Sequence, residues 1–178
     1  MKILKKYLLL TLTLLFFTGC ATSLNRTEIG QLAYVHVEEL NTSYLSRIDT
    51  GARITSLHAL NIKLADKKVR NNTTNNTTGK IKNAHYKDNV GKTITFDSIN
   101  EKGEKIHYKA KVEKVSLVRN AQGKEYRYII KLTLTYKNVV KYGYVNLRDR
   151  TKMTYKLLIG RNWLNDDFYV VTDRKTLE

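Results

Sequence analysis

The chain has 178 residues, with 32 Lys and Arg against 16 Asp and Glu, a formal charge of +16, one cysteine and no proline. That length holds one ordinary domain and a leading segment, and a lone cysteine excludes a disulfide framework or a cysteine-rich zinc site. The lysines are scattered among Asn, Thr, Ile and Tyr without a dense basic run, which turns the charge away from nucleic acid and towards anionic membranes or cell-wall polymers.

Residues 1–20 read as a targeting segment. Lys2, Lys5 and Lys6 precede an apolar run from Tyr7 to Phe17, and Thr18-Gly19-Cys20 closes it with small residues. The run is short of the roughly 20 residues a membrane span needs. A Cys after a small residue at this point resembles a bacterial lipobox, which implies lipidation of Cys20, cleavage before it and acylation of the new amino terminus. More than one acyl chain gives stable anchoring; an uncleaved signal anchor is the alternative. Ala21, where an Asp would favour inner-membrane retention, points to the outer membrane facing the periplasm. Without residues 1–20, which carry three Lys and no acid, the formal charge falls from +16 to +13.

Residues 21–30 read as a tether and 31–178 as the domain. Alternation and β-branched content predict strands over Leu32 to Val37, Tyr44 to Asp49, Ser56 to Leu64 and Lys92 to Phe96. A long run from Lys105 to Val118 follows, then Tyr126 to Tyr136 with Ile130, Leu132 and Leu134 on one face. Val139 to Leu147, Lys156 to Ile159 and Phe168 to Val171 complete the set. Residues 71–78, Asn-Asn-Thr-Thr-Asn-Asn-Thr-Thr, have nothing to bury and read as an exposed loop. Arg161 to Asn165 is the one short helical turn expected. The fold class is therefore all-β, built of many short strands.

Two stretches carry chemistry. Ile48-Asp49-Thr50-Gly51-Ala52 ends an apolar strand, and Leu157-Leu158-Ile159-Gly160-Arg161-Asn162 follows about a hundred residues later. Together they resemble the paired signatures of retroviral-type (retropepsin) aspartic proteases. The longer runs Arg47 to Ala59 and Arg148 to Arg161 resemble a bacterial retropepsin-like family labelled ATP-dependent zinc protease and associated by name with glutamate-ligase (RimK-type) genes. The resemblance covers about Gly30 to Val171 and implies a closed retropepsin-like β-barrel. The residues give the label's zinc and ATP no support. His36, His58, His85 and His107 lack metal-ligand spacing and read as surface or strand residues, and no phosphate-binding Gly-x-x-x-x-Gly-Lys-Ser/Thr loop occurs. No cofactor is expected.

The resemblance implies these roles. Asp49 from each of two subunits forms a dyad sharing one proton, which activates water against a peptide bond. One such Asp per chain, with no second Asp-Thr/Ser-Gly, requires a homodimer. Thr50 ties the two loops together, and Gly51 lets the backbone approach the carboxylate. Gly160, between Ile159 and Arg161, supports the catalytic loop from behind, with Leu158 and Ile159 in the core. Ala52 and Arg53 line the substrate cleft, as does a flap over Leu117 to Arg127 whose tip is Asn120-Ala121-Gln122-Gly123. The plain alternatives are an Asp that caps its own turn, a turn Thr and a solvent hairpin. One departure is Arg53, where retroviral enzymes place an Asp that pairs with the Arg of the second motif. Arg161 then needs another partner, and the basic cleft favours acidic substrates. The expected function is a lipid-anchored, homodimeric aspartic endopeptidase of the envelope. The alternative is a non-catalytic lipoprotein of the same shape that binds peptide or cell-wall material.

Overall fold

Period-two alternation decides which faces become core, and the computed structural model follows it closely. It describes residues 26–65, 86–120 and 123–175; Cys20, the Asn/Thr tract and the hairpin tip at Ala121 and Gln122 lie outside them. The strands are β1 (Thr27–Ile29), β2 (Leu32–Val37), β3 (Thr42–Ile48), β4 (Thr55–His58), β5 (Leu60–Leu64), β6 (Thr93–Ile99) and β7 (Lys105–Lys111). Then come β8 (Lys114–Asn120), β9 (Gly123–Tyr136), β10 (Val139–Arg148), β11 (Leu157–Ile159), one helical turn, α1 (Arg161–Leu164), and β12 (Phe168–Val170).

Six strands close a ring in the order β10-β4-β11-β3-β2-β9, sealed by the β9–β10 hairpin, with β8 added outside β9. β3 runs parallel to β11 and β4 parallel to β10; the other pairs of this sheet are antiparallel. The ring fills with Val35, Val37, Tyr44, Leu57, Ile130, Leu132, Leu134, Val145, Leu157 and Ile159, all buried. On β9 these are the alternate positions the sequence predicts. A second, three-stranded sheet, β5-β6-β7, lies beside the ring. Tyr44 joins the two: its hydroxyl lies 2.8 Å from Ser98 Oγ on β6, and Ser98 in turn donates to the carbonyl of His58 on β4. Burial pushes the Tyr44 hydroxyl up to about 12, so it stays neutral.

Two runs expected to be single strands are each split in two. Ser56 to Leu64 breaks at Ala59, and Lys105 to Val118 breaks at Val112-Glu113. In both, the chain leaves one sheet and joins the other: β4 pairs within the ring while β5 pairs with β6, and β7 pairs with β6 while β8 pairs with β9. Alternation carries no information about which sheet a strand joins. Within the stretch read as tether, Thr27–Ile29 form β1, parallel to β12, and Ile29 is fully buried.

The helical turn is seated by its tryptophan. Trp163 is buried, stacks on Phe168 at 4.6 Å and donates its indole N–H to the carbonyl of Lys141. A Cβ at Gly143 would stand 3.2 Å from the Trp163 ring, which accounts for a glycine in mid-strand.

Candidate active site

β3 and β11 run side by side and deliver Asp49 and Gly160 to one end of the ring, where the two loops cross. Asp49 N–H donates to the carbonyl of Ile159 at 2.9 Å, Arg161 N–H to Ala52 at 2.9 Å, and Asn162 N–H to Arg53 at 3.2 Å. The crossing is too close for a side chain: a Cβ on Gly160 would stand 2.7 Å from the carbonyl carbon of Ile54 and 2.9 Å from the nitrogen of Thr55. Thr55, fully buried, completes the lock, since its Oγ1 accepts the Gly160 N–H at 3.1 Å and donates to Asn162 Oδ1 at 3.0 Å.

Within that frame one carboxylate oxygen of Asp49, Oδ1, accepts the N–H groups of Gly51 and Ala52 at 2.9 and 3.1 Å. Oδ2 accepts no hydrogen bond among the described residues. Asp49 is half-buried, and Thr50 and Gly51 beside it are exposed. The turn thus holds one oxygen by backbone dipoles and leaves the other open, beside the exposed Thr50 and Gly51. Thr50 also borders a pocket of about 280 Å³ lined by Arg26, Arg161, Asp166, Phe168 and Val170.

Ala52 is half-buried and Arg53 exposed beside the turn. Neither Arg53 nor Arg161 has an acid within ion-pair distance among the described residues, so the partner sought for Arg161 is not found there. Ile159 is buried and Gly160 sits in the crossing, but Leu158 faces the other way and is only half-buried. The stretch expected to be a flap forms the β8–β9 hairpin, with Asn120 paired with Gly123 at its end.

Sequence reasoning missed a group of arginines on the sheet face that carries Ser56 and Asn146. Asn146 ties the exit of the Asp49 loop to β9: its amide donates to the carbonyl of Thr55, and its oxygen accepts from Ser56 Oγ at 3.0 Å and, weakly, from Arg127 at 3.4 Å. Arg127 is buried and pairs with Glu125 at 2.8 Å, and Arg148 approaches the same carboxylate at 3.8 Å. Arg150 is also buried and donates to the carbonyl of Tyr155. Burial lowers its pKa, Arg148 and Arg127 lower it further, and the Asp49 carboxylate acts the other way. These charges therefore feel one another's fields. The signal was available, since Arg148-Asp149-Arg150 stands in the second stretch that carries the resemblance, but nothing in the sequence places it opposite Arg127.

Each histidine of the described part is occupied within the fold. His36 meets Ser43, and His107 meets Asp97 at 2.8 Å. His58 is a strand residue, the last of β4, and is buried, and its Nδ1 accepts the Arg150 N–H at 2.9 Å. The neutral ring therefore carries its proton on Nε2. Burial first, then Lys156, lowers its pKa.

An all-β ring in which an Asp-Thr-Gly turn is locked against a crossing Ile-Gly-Arg turn defines a retropepsin-like protein. More than half of the chain, residues 72–177, matches the family model described as retropepsin-like aspartic endopeptidase RimB, and the chain belongs to that RimB-like family. The matched span holds the β8–β9 hairpin, β10 and Gly160; the Asp49 turn precedes it. A crystal structure of Lpg0085 from Legionella pneumophila subsp. pneumophila str. Philadelphia 1, a protein with unknown function (DUF785), is similar in fold. It aligns with a TM-score of 0.61 at 21% identity, over 84% of this chain and 96% of that one. No curated protein matches the chain.

Proposed function

We infer that this protein is a homodimeric aspartic endopeptidase held on the envelope membrane through Cys20. The observation that carries the reading is Asp49 itself: one oxygen is clamped by two backbone N–H groups, the other is open, and the loop is fixed from behind by Gly160. A turn Asp with only a capping role has no need of that backing.

In the dimer two Asp49 carboxylates share one proton, because two charges so close cannot both ionise. The ionised one takes a proton from water as the water oxygen bonds to the peptide carbonyl carbon. The protonated one donates to the developing oxyanion. Collapse of the tetrahedral species breaks the C–N bond, and the leaving nitrogen takes up a proton. The clamp on Oδ1 holds the carboxylate in place through the cycle, so no reorganisation is needed at the moment of attack.

Basic side chains stand near the Asp49 turn. Arg127, Arg148 and Arg150 share one face with Glu125 as their only ion-pair acid among the described residues, and Arg53 stands exposed beside the turn. That balance supports a preference for substrates with acidic side chains near the cut bond.

The test is cleavage of a diverse peptide mixture by residues 21–178, which include every strand and every core residue described, from acid to neutral pH with Asp49→Asn alongside. Cutting that disappears in the variant supports the dyad. No cutting by a protein shown to be dimeric would give preference to a peptide-binding lipoprotein of the same shape.

A further inference from the structure

We propose that the outer face of the β9–β10 hairpin, continued by Tyr34 on β2, is the surface by which this domain lies against an anionic lipid bilayer. The register sets the face. Val140, Tyr142 and Tyr144 oppose Thr135, Thr133 and Lys131, so all six point to one side. His36 opposes Thr135 and carries that side onto β2, where Tyr34, two residues away, points the same way. Tyr34 is 56% exposed, Val140 60%, Tyr142 62% and Tyr144 38%. Half of the large apolar side chains exposed among the described residues thus gather on one sheet face.

Lysines lie over the rings. Lys131 Nζ stands 3.5 Å from the centre of the Tyr142 ring, and Lys114 Nζ 3.9 Å from that of Tyr144; Lys137 sits in the turn of the hairpin. Tyrosines with an apolar body and a polar tip, flanked by lysine ammoniums on apolar stems, fit the headgroup layer of a membrane. A protein partner would ask for a dry apolar centre with few charges, which this face lacks. Glu38 and Glu39 border it, and their carboxylates are taken up by the hydroxyls of Thr135 and Thr133. Each lysine near an anionic leaflet adds roughly fivefold to partitioning.

The chain's own course agrees. Thr27 Oγ1 lies 3.3 Å from Asn138 Oδ1, at the hairpin turn, so the amino-terminal side of the domain arrives at this face. Thr27 lies seven positions on from Cys20, at most about 25 Å of extended chain. This last step rests on the lipid-anchored reading; the composition of the face does not.

The test uses residues 21–178, which lack Cys20 and any acyl chain, with vesicles of phosphatidylcholine alone or with about a third phosphatidylglycerol. Sedimentation should show binding to the anionic vesicles only. Val140→Ser, Tyr142→Ser and Lys131→Gln combined should weaken it at least tenfold, whereas Lys109→Gln with Lys111→Gln, on exposed β7 positions, should change it less than twofold. No binding by the parent protein, or equal loss in both variants, overturns the proposal. A second readout does not depend on those variants. An environment-sensitive dye on Tyr142→Cys should shift to the blue on anionic vesicles while the same dye on Lys109→Cys does not; equal shifts, or none, overturn the proposal too. Failure of acyl labelling at Cys20 in cells would sink the anchored reading and leave these outcomes standing.

Discussion

Asn162 Oδ1 accepts both the backbone N–H and the hydroxyl of Thr55, at 2.8 and 3.0 Å, while its amide donates to the carbonyl of Tyr144. One side chain thus ties together the exit of the Asp49 loop, the start of α1 and β10. Asn162→Ala leaves the Thr55 N–H without its acceptor in a buried place. At about 1 kcal/mol for each net hydrogen bond, unfolding free energy should fall by about 2 kcal/mol. Peptide cleavage should fall about tenfold or more, because a loop displaced by a fraction of an ångström misplaces Asp49. Denaturant titration and kinetics on one preparation measure both; unchanged kinetics would deny the loop's dependence on Asn162.

Gly160→Ala probes the crossing of the two turns. The new Cβ meets backbone atoms of Ile54 and Thr55 at 2.7 and 2.9 Å, and backbone cannot swing aside as a flexible side chain can. Overpacking of this kind costs about 1–3 kcal/mol. The expected result is a lower melting temperature with nearly complete loss of cutting. Gly91→Ala makes a useful contrast: its Cβ would meet nothing within 4 Å, although its φ of +84° is one that glycine favours. There a loss of stability should come without loss of cutting.

Much of this arrangement was legible beforehand because two physical signals were strong. Alternation on β9 named Ile130, Leu132 and Leu134 as core, and the sequence singled out the turns around Asp49 and Gly160, which the fold brings together. What was not legible depended on contacts far apart in sequence. The breaks at Ala59 and Val112-Glu113 arise because the chain changes sheets, and β1 because Ile29 packs only once β12 is beside it. The group of Arg127, Arg148 and Arg150 forms through the β9–β10 register and the turn after β10. A period of two can assign each residue to a face, but not the faces to each other.

The basic face makes a prediction about substrates. Arg148 is half-buried and shares Glu125 with Arg127 at the longer distance of 3.8 Å, so it is the arginine most readily turned to a substrate carboxylate. A hydrogen bond to a charged group is worth about 1.5–3 kcal/mol. Arg148→Gln should therefore lower kcat/KM for peptides with Glu or Asp beside the cut bond by about tenfold or more, and leave neutral peptides within about twofold. Equal losses on both classes would remove Arg148 from substrate recognition.

Tyr44→Phe tests the seam between the ring and the three-stranded sheet. The variant keeps the ring's packing and removes only the bond to Ser98, which can still donate to the His58 carbonyl. The expected cost is about 1 kcal/mol, read as a lower denaturant midpoint with an unchanged slope. A changed slope would mean that the two sheets no longer unfold together.

His58 sets the acid side of stability. Its folded pKa is lowered, chiefly by burial, while in the unfolded chain it titrates near 6.5. Between those two values the unfolded state binds the extra proton, so stability is full above about pH 6.5 and falls as the pH drops towards the folded pKa. Asp97 acts further down: hydrogen bonds from Asn61, His107 and Lys105 hold its carboxyl well below the usual range. Its contribution is present above about pH 4 and is lost in stronger acid. His58→Asn keeps an acceptor for the Arg150 N–H without a titrating ring. Denaturation from pH 7 to 5 should therefore show a sloping midpoint in the parent protein and a flatter one in the variant. The cleavage profile should separate in the same window: activity lost to acid unfolding recovers in His58→Asn, and activity lost to protonation of the Asp49 pair does not. Parallel slopes for the two proteins would mean that the His58 ring takes up its proton as readily in the folded protein as in the unfolded chain.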